Sequence, residues 1–268
     1  MSPLALVVWM AAGSCVFAWI ASLITRDTSW VDRLWSIVPV LYVGTFAVTA
    51  RLSSARLDLM ALVVLLWGVR LTFNFARKGG YSGVEDYRWA VLRSKMSAVQ
   101  YQLFNFFFIV LYQNFILLLI ALPAWTAYEH RSVAFNGFDV ALGVLFLLCL
   151  GLETVADQQQ WQFHQSKKRA VALGETPSPE FLTTGLFRYS RHPNYFFEIA
   201  QWWLIFLFAV VAAHTVVLWV LGGPVLLTLL FVGSTRFTES ITLSKYPRYA
   251  SYQATTSPVV PWISRTTR

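Results

Sequence analysis

Residues 185–203 read GLFRYSRHPNYFFEIAQWW, so Arg188, Arg191 and His192 precede a proline, and Asn194, Tyr195 and Glu198 follow it inside an apolar run. An ionised side chain near the centre of a bilayer costs roughly 2.5–3.5 kcal/mol on insertion scales, so an acid kept there needs a partner or a task. Pro193 suits the first position of a helix, with His192 or Ser190 as its cap, because proline has no N–H to lose there. The free N–H groups of such a helix start, beside two arginines and a histidine, suit phosphates or a carboxylate. Asn194 and Glu198 stand four apart on one face, with Gln201 or Trp202 next along it, and that face can hydrogen-bond a polar ligand. The plainer alternative is a glutamate that pairs with an arginine for structure alone.

A second stripe occupies LGLETVADQQQWQFH, where Glu153, Asp157, Gln160 or Trp161, and His164 recur at helical spacing. Acids and amides suit the hydroxyls of a ribose or the amides of a base, and arginines suit phosphates. The two stripes together describe a dinucleotide or an adenosyl cofactor; a solvated helix end is the plainer reading of His164. The chain has no glycine-rich fingerprint of the Rossmann or P-loop kind, so helices and loops must hold any nucleotide. A third cluster combines Asp32, Arg33 and Trp35 with Arg70 and Asn74. A carboxyl group there can keep its proton and donate to a carbonyl oxygen, or Asp32 and Arg70 can simply pair; the residues leave both open.

The elements that must position these groups are membrane helices. Of 268 residues 57% are hydrophobic and 13% charged, and the mean hydropathy is +0.55, too apolar for an ordinary soluble domain. The pattern predicts an all-α integral membrane protein with seven spans: Leu4–Ile24, Leu34–Ala50, Leu57–Ala76, Leu103–Trp125, Phe138–Ala156, Tyr195–Ala213 and Val216–Val232. The first lacks a basic leader and a small-residue cleavage pattern, so it is read as a span. Seventeen of the 21 lysines and arginines fall in the alternate loops and the tail that share one side, which puts the N-terminus outside and those segments, with the C-terminus, in the cytoplasm. The net charge of +8 then follows from basic residues near anionic headgroups and calls for no nucleic acid. Cys15 and Cys149 both lie in apolar spans and form neither a disulfide frame nor, with histidines, a metal site.

No repeat or linker interrupts the chain, which reads as a single domain over residues 1–268. RKGGYSGVEDYRWAVLRSKMSAVQY is a glycine-rich turn followed by a basic amphipathic run along the interface. The stretch from Asp157 to Tyr195 is too long for a simple connector, and the tyrosine-rich tail is expected to cap a cofactor cavity at the cytoplasmic mouth.

The GLFRYSRHPNYFFEIAQWW run, the ETVAD that ends the preceding span, LWGVRLTFNFARKGGYSGVEDYRW and the tail YPRYASYQATTSPVVPW resemble bacterial members of the steroid 5-alpha-reductase family. The likeness is strongest over about residues 139–262, the half expected to bind the cofactor. It implies seven transmembrane helices enclosing NADPH from the cytoplasmic side of a bacterial inner membrane. Hydride would pass to the beta carbon of an enone such as a 3-oxo-4-ene steroid. Asn194 and Glu198 match the family's cofactor-binding pair, and Asp157 matches its acid at the end of the fifth helix. Glu153 stands where the family often has asparagine. Arg191 and His192 are features shared with bacterial relatives, and Glu239 falls where the steroid enzymes use a tyrosine. Asp32 stands in for the glutamate that holds the substrate ketone, while Trp67 falls near the position of the partner tyrosine.

The expected cofactor contacts are therefore Glu153, Asp157, His164, Arg188, Arg191, His192, Asn194, Tyr195, Glu198 and Glu239, with Asp32 as the catalytic acid, NADPH as cofactor and no metal. RHPNYFFE also resembles the motif of isoprenylcysteine and phospholipid methyltransferases, which bind S-adenosylmethionine. Those enzymes carry a paired acid near the tail where this chain has one, in TES. A sterol-binding or scaffold protein without catalysis is the third reading, and intramembrane Glu153, Glu198 and Arg70 weigh against it.

Overall fold

Ser2 and Pro3 open the first helix, α1 (Pro3–Thr25): the Ser2 side chain accepts the Ala5 N–H at 3.2 Å, and Arg26 ends the helix in the left-handed region. The computed structural model describes residues 1–263. It is 76% helix, with no strand among those residues, and seven of its helical stretches are long and apolar enough to cross a membrane. Two compact units divide the described chain, one of residues 1–145 and 202–227, the other of residues 146–201 and 228–263.

In the first unit the second candidate span is broken, where the sequence suggests one helix from Leu34 to Ala50. α2 (Trp30–Trp35) ends at Ser36, and α3 (Val38–Thr49) begins with Pro39 in its first turn. Proline has no N–H for the carbonyl of Trp35, and its ring would strike that carbonyl, so the helix restarts. α4 (Ala55–Arg77) presses against this break through Gly68, where an added Cβ would lie 2.4 Å from Val40 Cγ2 and 2.7 Å from the Ser36 carbonyl oxygen. Small residues allow such close approach between membrane helices.

The amphipathic stretch after α4 folds as α5 (Tyr87–Arg93), capped by Asp86, and α6 (Ala98–Phe104), capped by a Ser97–Gln100 box. α6 runs on through a π-helical segment, Asn105–Tyr112, into α7 (Gln113–Glu129), so the fourth span extends past both expected ends.

α8 (Gly137–Ala172) is 36 residues long and continues well beyond the expected end at Ala156. At 1.5 Å per residue it is about 54 Å long, against roughly 30 Å of hydrocarbon. Hydropathy marks where an apolar environment stops, and Gln-rich sequence remains a good helix former past that point. A 3₁₀ turn, Gly185–Arg188, leads to α9 (Pro193–Ala213), which starts at the proline expected to start it. α10 (Leu218–Lys245) and the short α11 (Tyr249–Thr255) complete the chain.

One ion pair in the first unit is sealed from solvent. Arg56 meets Asp139 through two bonds, Nε to Oδ1 at 2.6 Å and Nη2 to Oδ2 at 2.8 Å, with side chains 2% and 0% exposed. The same guanidinium donates to the carbonyls of Val133 and Ala134, and Asp139 accepts the Asn136 N–H, so the turn before α8 is tied to the start of α4. Removing one partner strands a buried charge, which typically costs about 3–5 kcal/mol, whereas an apolar pair of similar volume is far better tolerated. Arg56→Ala should therefore lower the unfolding temperature in detergent sharply, and Arg56→Met/Asp139→Leu should recover much of the loss. A double variant as unstable as the single one would contradict this account.

Candidate functional site

The second unit gathers most of the expected site residues on two antiparallel helices. Asn194 Nδ2 on α9 lies 3.4 Å from Asp157 Oδ1 on α8, and Gln201 Nε2 donates to Glu153 Oε2 at 2.6 Å. A step of four residues back along α8 matches seven forward along α9. Glu153, Asp157 and Glu198 are each 4% exposed, and Gln201 is fully buried. The result is a polar seam of two carboxyl groups and two amides between α8 and α9, with Asn194 half-buried and the buried Glu198 four residues after it on α9. His164 lies seven residues beyond Asp157 on α8, exposed and edge-on to Phe163, and Arg188 is exposed on the 3₁₀ turn.

The other face of the α9 start is committed to protein. Arg191 grips Glu239 of α10 with Nε to Oε1 at 2.6 Å and Nη2 to Oε2 at 3.0 Å. Its Nη1 donates to the carbonyls of Gln253 and Thr256, and its backbone N–H to the Ser257 carbonyl at 2.8 Å. Glu239 also accepts from Gln253 Nε2 and the Tyr249 hydroxyl, and His192 Nε2 lies 3.2 Å from it. The His192 ring stacks on Tyr195, whose edge meets Phe231 of α10.

Further along the tail, Ser190 Oγ donates to the Val259 carbonyl, Tyr252 to the Phe187 carbonyl, and the Trp262 N–H to the Tyr189 carbonyl. Burial raises the pKa of both the Tyr249 and Tyr252 phenols, which keeps them donors. Gly185 sits at φ +64°, and a Cβ there would strike the Gln159 amide, which accepts the Leu186 N–H. Lys167 joins α8 to the tail by donating to the Tyr246 hydroxyl and the Glu180 carbonyl, and this bond lowers the Tyr246 pKa.

Asp32 belongs to the first unit. Its Oδ2 accepts the Trp89 indole N–H at 2.9 Å, while Arg33 beside it binds Asp27 and the Gly80 carbonyl. Nearby, Glu85 accepts from the Thr28 N–H and hydroxyl and from Arg93, so the α1–α2 connection is tied to the segment before α5. Among the described residues no cluster of histidine, cysteine and acids could hold a metal ion.

Gln201, Tyr249 and Gln253 were not among the expected contacts. Gln201 had a signal, since it falls three residues after Glu198 on the same face; Gln253 and Tyr249 stand four apart on α11, but nothing local says what they reach.

The DUF1295 family, described as a protein of unknown function, matches residues 18–256 of the chain. An uncharacterized protein of Schizosaccharomyces pombe is 38% identical over 251 residues, which cover 88% of this chain and 73% of that protein. No solved structure matches.

Glu239→Ala leaves the Arg191 guanidinium without its carboxylate and frees Gln253 and Tyr249, so the tail should become susceptible to limited proteolysis between Tyr246 and Trp262. Arg191→Ala should do the same, and the double variant should be little worse, because both members of one network are already lost. A tail equally protected in all three would show that other contacts hold it.

Proposed function

The chain belongs to the DUF1295 family, a family related to steroid 5-alpha-reductase-like proteins, and we propose that it is a membrane reductase that uses NADPH to saturate an activated carbon–carbon double bond in a steroid-like or other enone lipid. The observation that carries this reading is the polar seam of Glu153 and Asp157 with Gln201 and Asn194, beside buried Glu198, on the first half of a membrane helix. Intramembrane acids mark sites of function far more often than decoration. With the N-terminus outside, the start of α9 would face the cytoplasm, where the nucleotide is.

The residues fit such a cofactor in kind. Carboxylates and amides suit ribose hydroxyls and a carboxamide, and three buried polar atoms of the same unit, Gln201 Oε1, Thr235 Oγ1 and Thr238 Oγ1, have no hydrogen-bond partner among the described residues. Asn194, Glu198 and Asp157 would hold the sugar and ring end. The N-terminus of α9, with Arg188 beside it, would face the phosphates. Arg191, His192 and Glu239 contribute indirectly by holding the tail against α9. When bound, NADPH supplies the hydride. Asp32, held by Trp89, would hold the substrate carbonyl oxygen and deliver a proton to the charge that develops there.

Thermal-shift titration of the purified protein should show stabilisation by NADPH at lower concentration than by S-adenosylmethionine. Stabilisation by S-adenosylmethionine alone would favour the methyltransferase reading that RHPNY also supports. Glu198→Ala and Asn194→Ala should weaken NADPH binding while the unfolding temperature of the free protein stays close to that of the parent. With testosterone or progesterone and NADPH, mass spectrometry should find a gain of two hydrogens. Asp32→Asn should reduce turnover about 10- to 1000-fold at nearly unchanged NADPH affinity, and full activity in that variant would remove Asp32 from the mechanism.

A further inference from the structure

Gln201 is fully buried on α9, and its amide nitrogen is fully engaged: it donates to Glu153 Oε2 at 2.6 Å and to the Phe197 carbonyl at 3.0 Å. Its amide oxygen is buried with no partner among the described residues. Turning the amide over does not cure this. The Phe197 carbonyl can only accept, so the nitrogen must face it, and the oxygen must point away from both neighbours. A buried acceptor left unpaired costs about 1–3 kcal/mol, and a neutral amide oxygen selects an N–H or O–H donor without demanding charge.

The position narrows the donor. Gln201 lies seven residues beyond Asn194, roughly 10 Å deeper along the axis of α9. If the phosphates of a dinucleotide stay at the helix N-terminus, a base reaches Gln201, and of the two bases the nicotinamide is the one that must enter the membrane to meet a lipid substrate. Carboxylates suit the paired hydroxyls of a ribose, and Glu198 lies nearer the helix start for that purpose. Resting on the reductase reading, we propose that Gln201 is the residue that reads the nicotinamide ring, its Oε1 accepting an N–H of the carboxamide, with Glu153 as the positioning residue that fixes the orientation of the amide.

The test compares NADPH with its 3-acetylpyridine analogue, in which a methyl group replaces the carboxamide NH₂. Binding is read by fluorescence titration of the full chain in detergent, without lipid substrate, on the parent protein, Gln201→Leu and Gln201→Met. The parent should bind NADPH about tenfold more tightly than the analogue, and both variants should bind the two nucleotides alike, at about the affinity of the parent for the analogue. Glu153→Ala should narrow the parent's preference without abolishing binding. A parent that does not discriminate, or variants that keep the parent's ratio, would overturn the assignment while leaving NADPH as the cofactor. Failure of the parent to bind either nucleotide would overturn the reductase reading itself and this assignment with it. Because the parent's discrimination is measured on unaltered protein, a variant that fails to fold leaves the assignment exposed to refutation.

Discussion

A charge in a membrane helix has nowhere to turn but to the protein, and this chain keeps several. Arg56 and Asp139 answer the requirement with one closed pair. Arg191 and Glu239 answer it with a network that reaches five further residues near the start of α9, on α11 and in the tail. Glu153 and Asp157 answer it with amides from the neighbouring helix, and that choice leaves Gln201 with a buried acceptor that has no partner among the described residues. The same constraint is therefore met completely in one place and incompletely in another. The difference lies in how completely the partners saturate each other.

Much of the fold was legible because the bilayer imposes its own length on apolar runs. Every expected span overlaps a helix, and Pro193 begins α9 as its missing N–H requires. The departures arise where backbone rules act independently of hydropathy. Pro39 breaks a run that is apolar throughout, and the glutamines after Asp157 continue a helix that has lost its apolar character. Hydropathy senses the environment of side chains, whereas helix ends follow N–H groups and caps.

The seam was legible for a related reason: Asn194, Glu198, Glu153 and Asp157 repeat at intervals that place each set on one face of its own helix. Spacing cannot say what meets a face across space. Arg191 and His192 look alike in sequence as anion-binding groups, yet the guanidinium is engaged by a carboxylate 48 positions later and by carbonyls 62 and 65 positions later. Such pairings depend on how α10 returns and where α11 turns. Trp89 and Asp32, 57 positions apart, were hidden in the same way.

The reach of Arg191 also sets an order of assembly during biosynthesis. When α9 enters the membrane, its guanidinium has none of these partners, because Glu239 arrives with the next helix and residues 253–257 later still. The start of α9 must pass through a stage in which a cation at its boundary depends on water or lipid headgroups. Docking of the tail ends that dependence, so the last described segment to be synthesised is the one that completes the surroundings of the α9 start. Newly inserted copies would accordingly exist for a time with every span in place and this one cation still waiting for its last partners.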